Sequence, residues 1–174
     1  MRTCARDRRP PRRLGLLALL LASCATVHPV IMGQPLTVPL PRLDGSAFDW
    51  SETRGKVVVV DIWASWCGTC AASMPYFAEL QKTLGDQGFL YVGIDVDADV
   101  RAGRAFLAAT GPGLLSLADL EAPYVTGRFE IARLPTRVWL DRRGVVRAVQ
   151  EGFAAGDEDQ VRREADHLLR EPGP

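Results

Sequence analysis

The chain has 174 residues, with 21 basic and 21 acidic side chains and so no formal net charge. That length suits one domain, with or without an appendage, and 47% hydrophobic residues exclude a disordered chain. Balanced charge gives no electrostatic reason to expect a nucleic-acid partner, and four cysteines are too few for a disulfide-stapled miniprotein.

Charge is unevenly spread. Residues 1–13 carry six Arg against one acid, Asp7, and Leu14 to Ala22 then reads LGLLALLLA. Nine helical residues reach about 13 Å, whereas a bilayer core of about 30 Å needs about 20, so this run is not a transmembrane span. A basic start followed by a short apolar run is the pattern of a secretion signal. The run ends in Leu21-Ala22-Ser23-Cys24, which resembles a bacterial lipobox. The resemblance implies cleavage before Cys24 and acylation of its thiol, and more than one acyl chain holds a protein stably on a membrane. Arg12-Arg13 leaves both a general-secretion and a twin-arginine route open. Cleavage discards Cys4 and lipid caps Cys24, so Cys67 and Cys70 are the thiols that remain. Without residues 1–23 the chain keeps 15 basic and 20 acidic side chains: the leader is basic and the working domain mildly acidic. The predicted division is a signal peptide over 1–23, a lipidated tether over 24–35 and one domain over 36–172.

Leu36 to Trp50 predicts a β-hairpin turning at Asp44-Gly45. Lys56 to Ile62, KVVVVDI, is a β-branched run that reads as a buried strand. Cys67 to about Leu84 has helical spacing of Met74, Phe77, Ala78 and Leu80, with Pro75 inside it, where a bend is expected. Gly88 to Val96 predicts a second buried strand. Asp99 to Thr110 predicts a helix stopped by Gly111-Pro112-Gly113. Leu120 to Phe129 predicts a short helix and turn. Thr136 to Asp141 and Val145 to Glu151 predict a hairpin closed by Arg142-Arg143-Gly144, and Asp157 to Arg170 a last helix with Asp157 in its cap region. Strands alternating with helices imply a largely parallel central sheet, to which the late hairpin adds antiparallel strands.

The chemistry concentrates in Val60-Asp61-Ile62-Trp63-Ala64-Ser65-Trp66-Cys67-Gly68-Thr69-Cys70. A Cys-x-x-Cys that follows a strand and opens a helix is a redox motif. The two-residue gap lets both sulfurs meet in the first helical turn. The helix N-terminus, with its free N–H groups and partial positive charge, stabilises a thiolate on Cys67. Cys70 lies one turn deeper and can attack a mixed disulfide formed at Cys67. A zinc site normally needs four Cys or His ligands, and the mature chain adds only His28 and His167, so no metal is expected. Asp95, Asp97 and Asp99 begin like a calcium loop, but the sixth and twelfth positions are Val100 and Phe106 instead of Gly and Glu. They read as a solvated strand end.

Over residues 33–170 the chain resembles the thioredoxin superfamily, most of all its extracytoplasmic, membrane-anchored branch of TlpA/ResA/CcmG type. The resemblance implies an α/β fold with a central mixed sheet flanked by helices and an N-terminal β-hairpin extension. It implies that Cys67 attacks and Cys70 resolves. Asp61, six residues before Cys67, matches a buried acid that trades a proton with the resolving cysteine; burial raises the pKa of such a carboxylate. Arg133-Leu134-Pro135-Thr136 matches a loop with a cis-proline, which makes Leu134 and Pro135 substrate contacts beside Trp66, Gly68 and Thr69. Pro75 matches the family's helix-kink proline, and Trp63 is packing. Thr69 stands where the family often has Pro, and Ser73 where this branch often has an acid.

The expected function is therefore a lipid-anchored thiol–disulfide oxidoreductase on the extracytoplasmic side of a bacterial envelope, needing no cofactor beyond the Cys67–Cys70 pair. Expected partners are protein thiol or disulfide clients, a membrane electron donor of the thiol-reductase type, and the membrane through Cys24; the protein is expected to be a monomer with no nucleic-acid partner. By the resemblance, the reaction is reduction of client cysteines in cytochrome or metal-site maturation. The alternatives are a thiol peroxidase, and a non-catalytic copper-handling or adaptor lipoprotein.

Overall fold

The computed structural model describes residues 31–120 and 124–173; the leader, Cys24 and most of the tether lie outside them. Five strands form one sheet in the order β3-β2-β1-β4-β5. The central strand β1 (Val57–Trp63) is buried along its whole length, as its unbroken apolar run demands. It pairs in parallel with β2 (Phe89–Asp95), which pairs in parallel with β3 (Leu115–Ala118). On its other side β1 pairs antiparallel with β4 (Thr136–Leu140), and β4 with β5 (Val146–Glu151).

Strand alternation sorts the core into two layers. Val57, Val59 and Trp63 face one side with Phe89, Tyr91 and Trp139. There they meet Met74, Phe77, Leu80 and Leu84 of helix α1 (Gly68–Leu84) and Val161, Ala165 and Leu168 of helix α4 (Asp157–Arg170). Helix α2 (Val100–Thr110) joins this layer through Val100 and Phe106, the latter stacked on Trp63 with ring centroids 5.2 Å apart. Val58, Val60 and Ile62 face the opposite side, against Leu36, Val38 and Ile31 and against Val125 and Phe129 at helix α3 (Tyr124–Arg128).

Several expectations are corrected. The turn at Asp44-Gly45 forms, with the Gly45 and Arg42 amides donating to the Arg42 and Ser46 carbonyls, but its flanks are not two paired strands. The chain is instead tied down by single bridges, Pro35 to Val145 and Arg42 to Leu117, and ends in a 3-10 turn over Trp50–Thr53. Pro35, Pro39 and Pro41 lack the N–H donors that a ladder needs. Residues 31–35, read as tether, are part of the fold: the Gly33 amide donates to the Val146 carbonyl and Ile31 is buried. Strand β3 was not expected, because four residues are too few to show a period; pairing with β2 makes it a strand. Asp95 and Asp97 are not a solvated strand end: both are buried, and only Asp99 is exposed, as the N-cap of α2. Gly156, not Asp157, caps α4, while the Asp157 carboxylate accepts the Ala154 amide. Of the predicted short helix, 121–123 lies outside the described residues.

Candidate active site

The loop after β1 brings the cysteines to the N-terminus of α1. Its position is pinned by the Ser65 amide, which donates to Asp97 Oδ2 at 2.8 Å. Cys67 is the N-cap residue of α1, extended in backbone conformation, and Cys67 Sγ accepts the Cys70 amide at 3.1 Å. Thr69 Oγ1 lies 3.4 Å from the same sulfur, and no acid occupies the first turn of α1. Each of these features favours negative charge on Cys67 once the pair is reduced. Cys67 and Cys70 are joined as a disulfide, with Cα atoms 5.2 Å apart. Cys67 is 7% exposed and Cys70 is fully enclosed, so an external sulfur reaches Cys67 first. Gly68 faces open space where a side chain would stand, leaving that approach clear.

Against the cysteines lies the loop between α3 and β4. The Leu134–Pro135 peptide is cis, and the Leu134 carbonyl accepts Thr69 Oγ1 at 3.5 Å. An open groove of about 880 Å³ runs between them, lined by Trp66, Cys67, Thr69, Ile131, Arg133 and Leu134. Trp66 stands at its rim, 72% exposed. The expected contact residues Trp66, Gly68, Thr69 and Leu134 therefore meet around Cys67, with Pro135 holding the loop: its carbonyl accepts the Gly152 amide at 2.7 Å.

Asp61 is fully buried on the sheet face that meets α1. Asp61 Oδ2 accepts the Tyr91 hydroxyl at 3.0 Å, and that hydroxyl also lies 3.4 Å from Met74 Sδ. Met74 stands one helical turn beyond Cys70, on the same side of α1. The acid thus lies under the turn that carries the resolving cysteine. Burial raises its pKa to about 7, against the opposing pull of the Arg137 guanidinium and the Tyr91 hydrogen bond. Tyr91, next to the acid, is pushed well above its ordinary value, by burial first and by Asp61 second.

Reading the sequence missed Tyr91, Arg137 and Asp119, and took Asp95 and Asp97 for a solvated strand end. Asp95 sits behind the loop, accepts the Asp97 amide at 3.0 Å, and is raised to about 8 by burial. Asp97 holds Ser65, and Asp119 Oδ2 accepts the Val125 amide at 2.8 Å where α3 begins. Period-2 spacing from Phe89 does place Tyr91 on the inner face. Arg137, a charge inside the apolar run TRVWL, was the visible anomaly. His167 is a surface residue, 3.7 Å from the Glu171 carboxylate. Among the described residues no cluster of three or more His, Cys, Asp or Glu is arranged to hold a metal ion.

A central mixed sheet, a disulfide at the N-terminus of a helix and a facing cis-proline loop define a thioredoxin-like thiol–disulfide protein. The chain belongs to the Redoxin family, whose model matches residues 31–165. The thiol-disulfide oxidoreductase ResA of Bacillus thuringiensis (strain Al Hakam) is 27% identical over 104 residues, which are 60% of this chain and 60% of that one. The match thus spans under two thirds of that relative's length. A candidate thiol:disulfide interchange protein DsbE from Chlorobium tepidum shares 27% identity and a TM-score of 0.71, over 80% of this chain and 96% of that one. A secreted Mycobacterium tuberculosis disulfide oxidoreductase homologous to E. coli DsbE shares 25% identity and a TM-score of 0.65, over 74% of this chain and 94% of that one.

Proposed function

We propose that the protein is a membrane-anchored thiol–disulfide oxidoreductase that exchanges disulfides with protein clients and works as a reductase. The observation that carries this reading is the asymmetry of the Cys67–Cys70 disulfide: one sulfur at a helix N-terminus beside an apolar groove, the other enclosed above a buried acid. In the reduced protein the Cys67 thiolate attacks a client disulfide, forms a mixed disulfide and releases one client thiolate. Cys70 then gives its proton to the Asp61 carboxylate, and the Cys70 thiolate attacks Cys67 Sγ. The Cys67–Cys70 disulfide forms and the second client thiolate leaves. Two electrons pass from the cysteine pair to the client, and the leaving thiolates take up protons.

The groove suits an extended, apolar client segment laid against Leu134 and the cis-proline loop. Membrane attachment through Cys24 rests on the lipobox-like end of the leader, and an extracytoplasmic location on that leader and on the similar Mycobacterium tuberculosis protein being named as secreted; a membrane thiol-reductase that recharges the pair, and clients with cytochrome or metal-site cysteines, rest on the family resemblance of the sequence. The direct test is reduction of insulin disulfides with a dithiol as electron source. The wild type should precipitate insulin and Cys67→Ser should not; an inactive wild type, or an undiminished serine variant, would overturn the proposal. The reduction potential decides the direction: a value near about −270 mV supports a reductase and one near about −120 mV an oxidase.

A further inference from the structure

The sheet face that packs on α1 and α4 is apolar except for a few residues, and two of these are opposite charges placed side by side. Asp61 and Arg137 are directly opposed across the antiparallel β1–β4 pair. Directly opposed residues project to the same face, with Cβ atoms about 5 Å apart. Both are buried, Asp61 completely and Arg137 to 2% exposure. Arg137 is held from the far side: Nη2 donates to the Gly152 carbonyl at 2.6 Å, and Cζ lies 5.3 Å from the centre of the Phe153 ring. Its Nε and Nη1, and Asp61 Oδ1, have no hydrogen-bond partner among the described residues. A charge is seldom buried without a counter-charge nearby, and a guanidinium stays protonated at any working pH. Here the counter-charge is the acid beneath the cysteines. The other groups facing the pair are the Tyr91 hydroxyl, from β2, and Asp157, at the start of α4, which acts on Arg137.

We propose that Arg137 is a positioning residue for the redox reaction: its buried charge, set opposite Asp61 by strand register, favours the ionised form of that acid, the form that takes the proton from Cys70. The inference rests on the oxidoreductase reading above. Burial alone drives a carboxylate toward its neutral form, in which it cannot accept a proton. A fixed cation across the strand pair, in a low-dielectric interior, opposes that drive. Arg137 touches neither the client nor the sulfurs; it acts through Asp61.

The test separates the two chemical steps. Reduced protein is mixed with excess chromogenic aromatic disulfide, dithiobis(nitrobenzoate). Attack by Cys67 releases one coloured thiolate, and resolution by Cys70 releases the second. In Arg137→Met the pH of half-maximal second release should rise by about one unit, which makes that release roughly tenfold slower at about pH 6. Arg137→Lys, which keeps the charge, should recover most of the shift. In the Asp61→Asn background Arg137→Met should leave the pH profile where Asp61→Asn puts it. If the methionine variant does not fold, Arg137→Gln, which can still donate to Gly152, carries the same expectation. An unmoved profile, or equal shifts in the lysine and methionine variants, would overturn the assignment. Loss of the first release in the wild type would instead sink the oxidoreductase reading itself.

Discussion

Asp61 carries the clearest consequences of a single residue. Its carboxyl has an ordinary pKa of 3.8 and one of about 7 in the fold, because burial penalises the anion. An acid raised on folding binds its proton more tightly in the native chain than in the unfolded one. Its contribution to stability is therefore complete below about pH 4 and is lost as pH rises through about 7. Asp95 acts in the same direction up to about pH 8. Asp61→Asn removes one of these liabilities. The variant should melt at a higher temperature than the wild type at about pH 8.5 and gain no such advantage at about pH 4, read by circular dichroism. The same variant should resolve mixed disulfides about 10²-fold more slowly, the lower range for a lost acid–base group. A stability difference that does not change with pH would show that Asp61 stays ionised in the fold. Asp61, Cys67 and Cys70 were legible in the sequence, because each sits at a fixed spacing on one short stretch. Tyr91 and Arg137 were not, since they come 30 and 76 residues after Asp61 and only strand pairing brings them to it.

Elements place these residues, and the docking of α2 shows how closely. Gly103, on the inward side of α2, lies over the Asp95 carboxylate. A Cβ at that position would overlap Asp95 Oδ2. Alanine is the better helix former by about 1 kcal/mol, so on an exposed helix this change would stabilise. Here Gly103→Ala must displace α2 or a buried acid that also orients the Asp97 amide, and Asp97 in turn holds Ser65 in the cysteine loop. The variant should be destabilised by about 2 kcal/mol or more in urea unfolding, and its Cys67 should react faster with alkylating reagents as the loop loosens. A gain in stability would show that α2 does not pack as described. The regular elements β1, α1, β2, α2, β4, β5 and α4 were all readable from periodicity and from Gly and Pro stops. The N-terminal hairpin and β3 were not. Prolines denied the first its ladder, and the second is a strand only because β2 lies alongside it.

For the whole molecule, the proposed anchor and the redox domain are separable. No helix among the described residues is long and apolar enough to cross a membrane, so on the proposed reading attachment rests on Cys24. Cys24→Ala should move the protein from the membrane to the soluble fraction while insulin reduction by the purified protein continues. Retention of the alanine variant on membranes would place the attachment elsewhere. The folded part begins by residue 31, so a lipid on Cys24 would hold the domain on only a few residues of tether.

What the sequence determined by itself is local chemistry: two cysteines in the first turn of a helix, an acid six residues earlier, a proline loop before a strand, and a basic N-terminal stretch followed by an apolar run that resembles a lipobox signal. Such signals survive because each depends on a few neighbouring residues and on the strong preferences of backbone geometry. What the tertiary structure decided is the environment of those groups. Only the sheet register sets Arg137 opposite Asp61, only the layer beneath α1 puts Tyr91 against the same carboxylate, and only the docking of α2 and of the cysteine loop brings Gly103 over Asp95 and the Ser65 amide to Asp97. Proton affinity depends on desolvation and on nearby charge, and both are properties of groups brought together from distant parts of the chain.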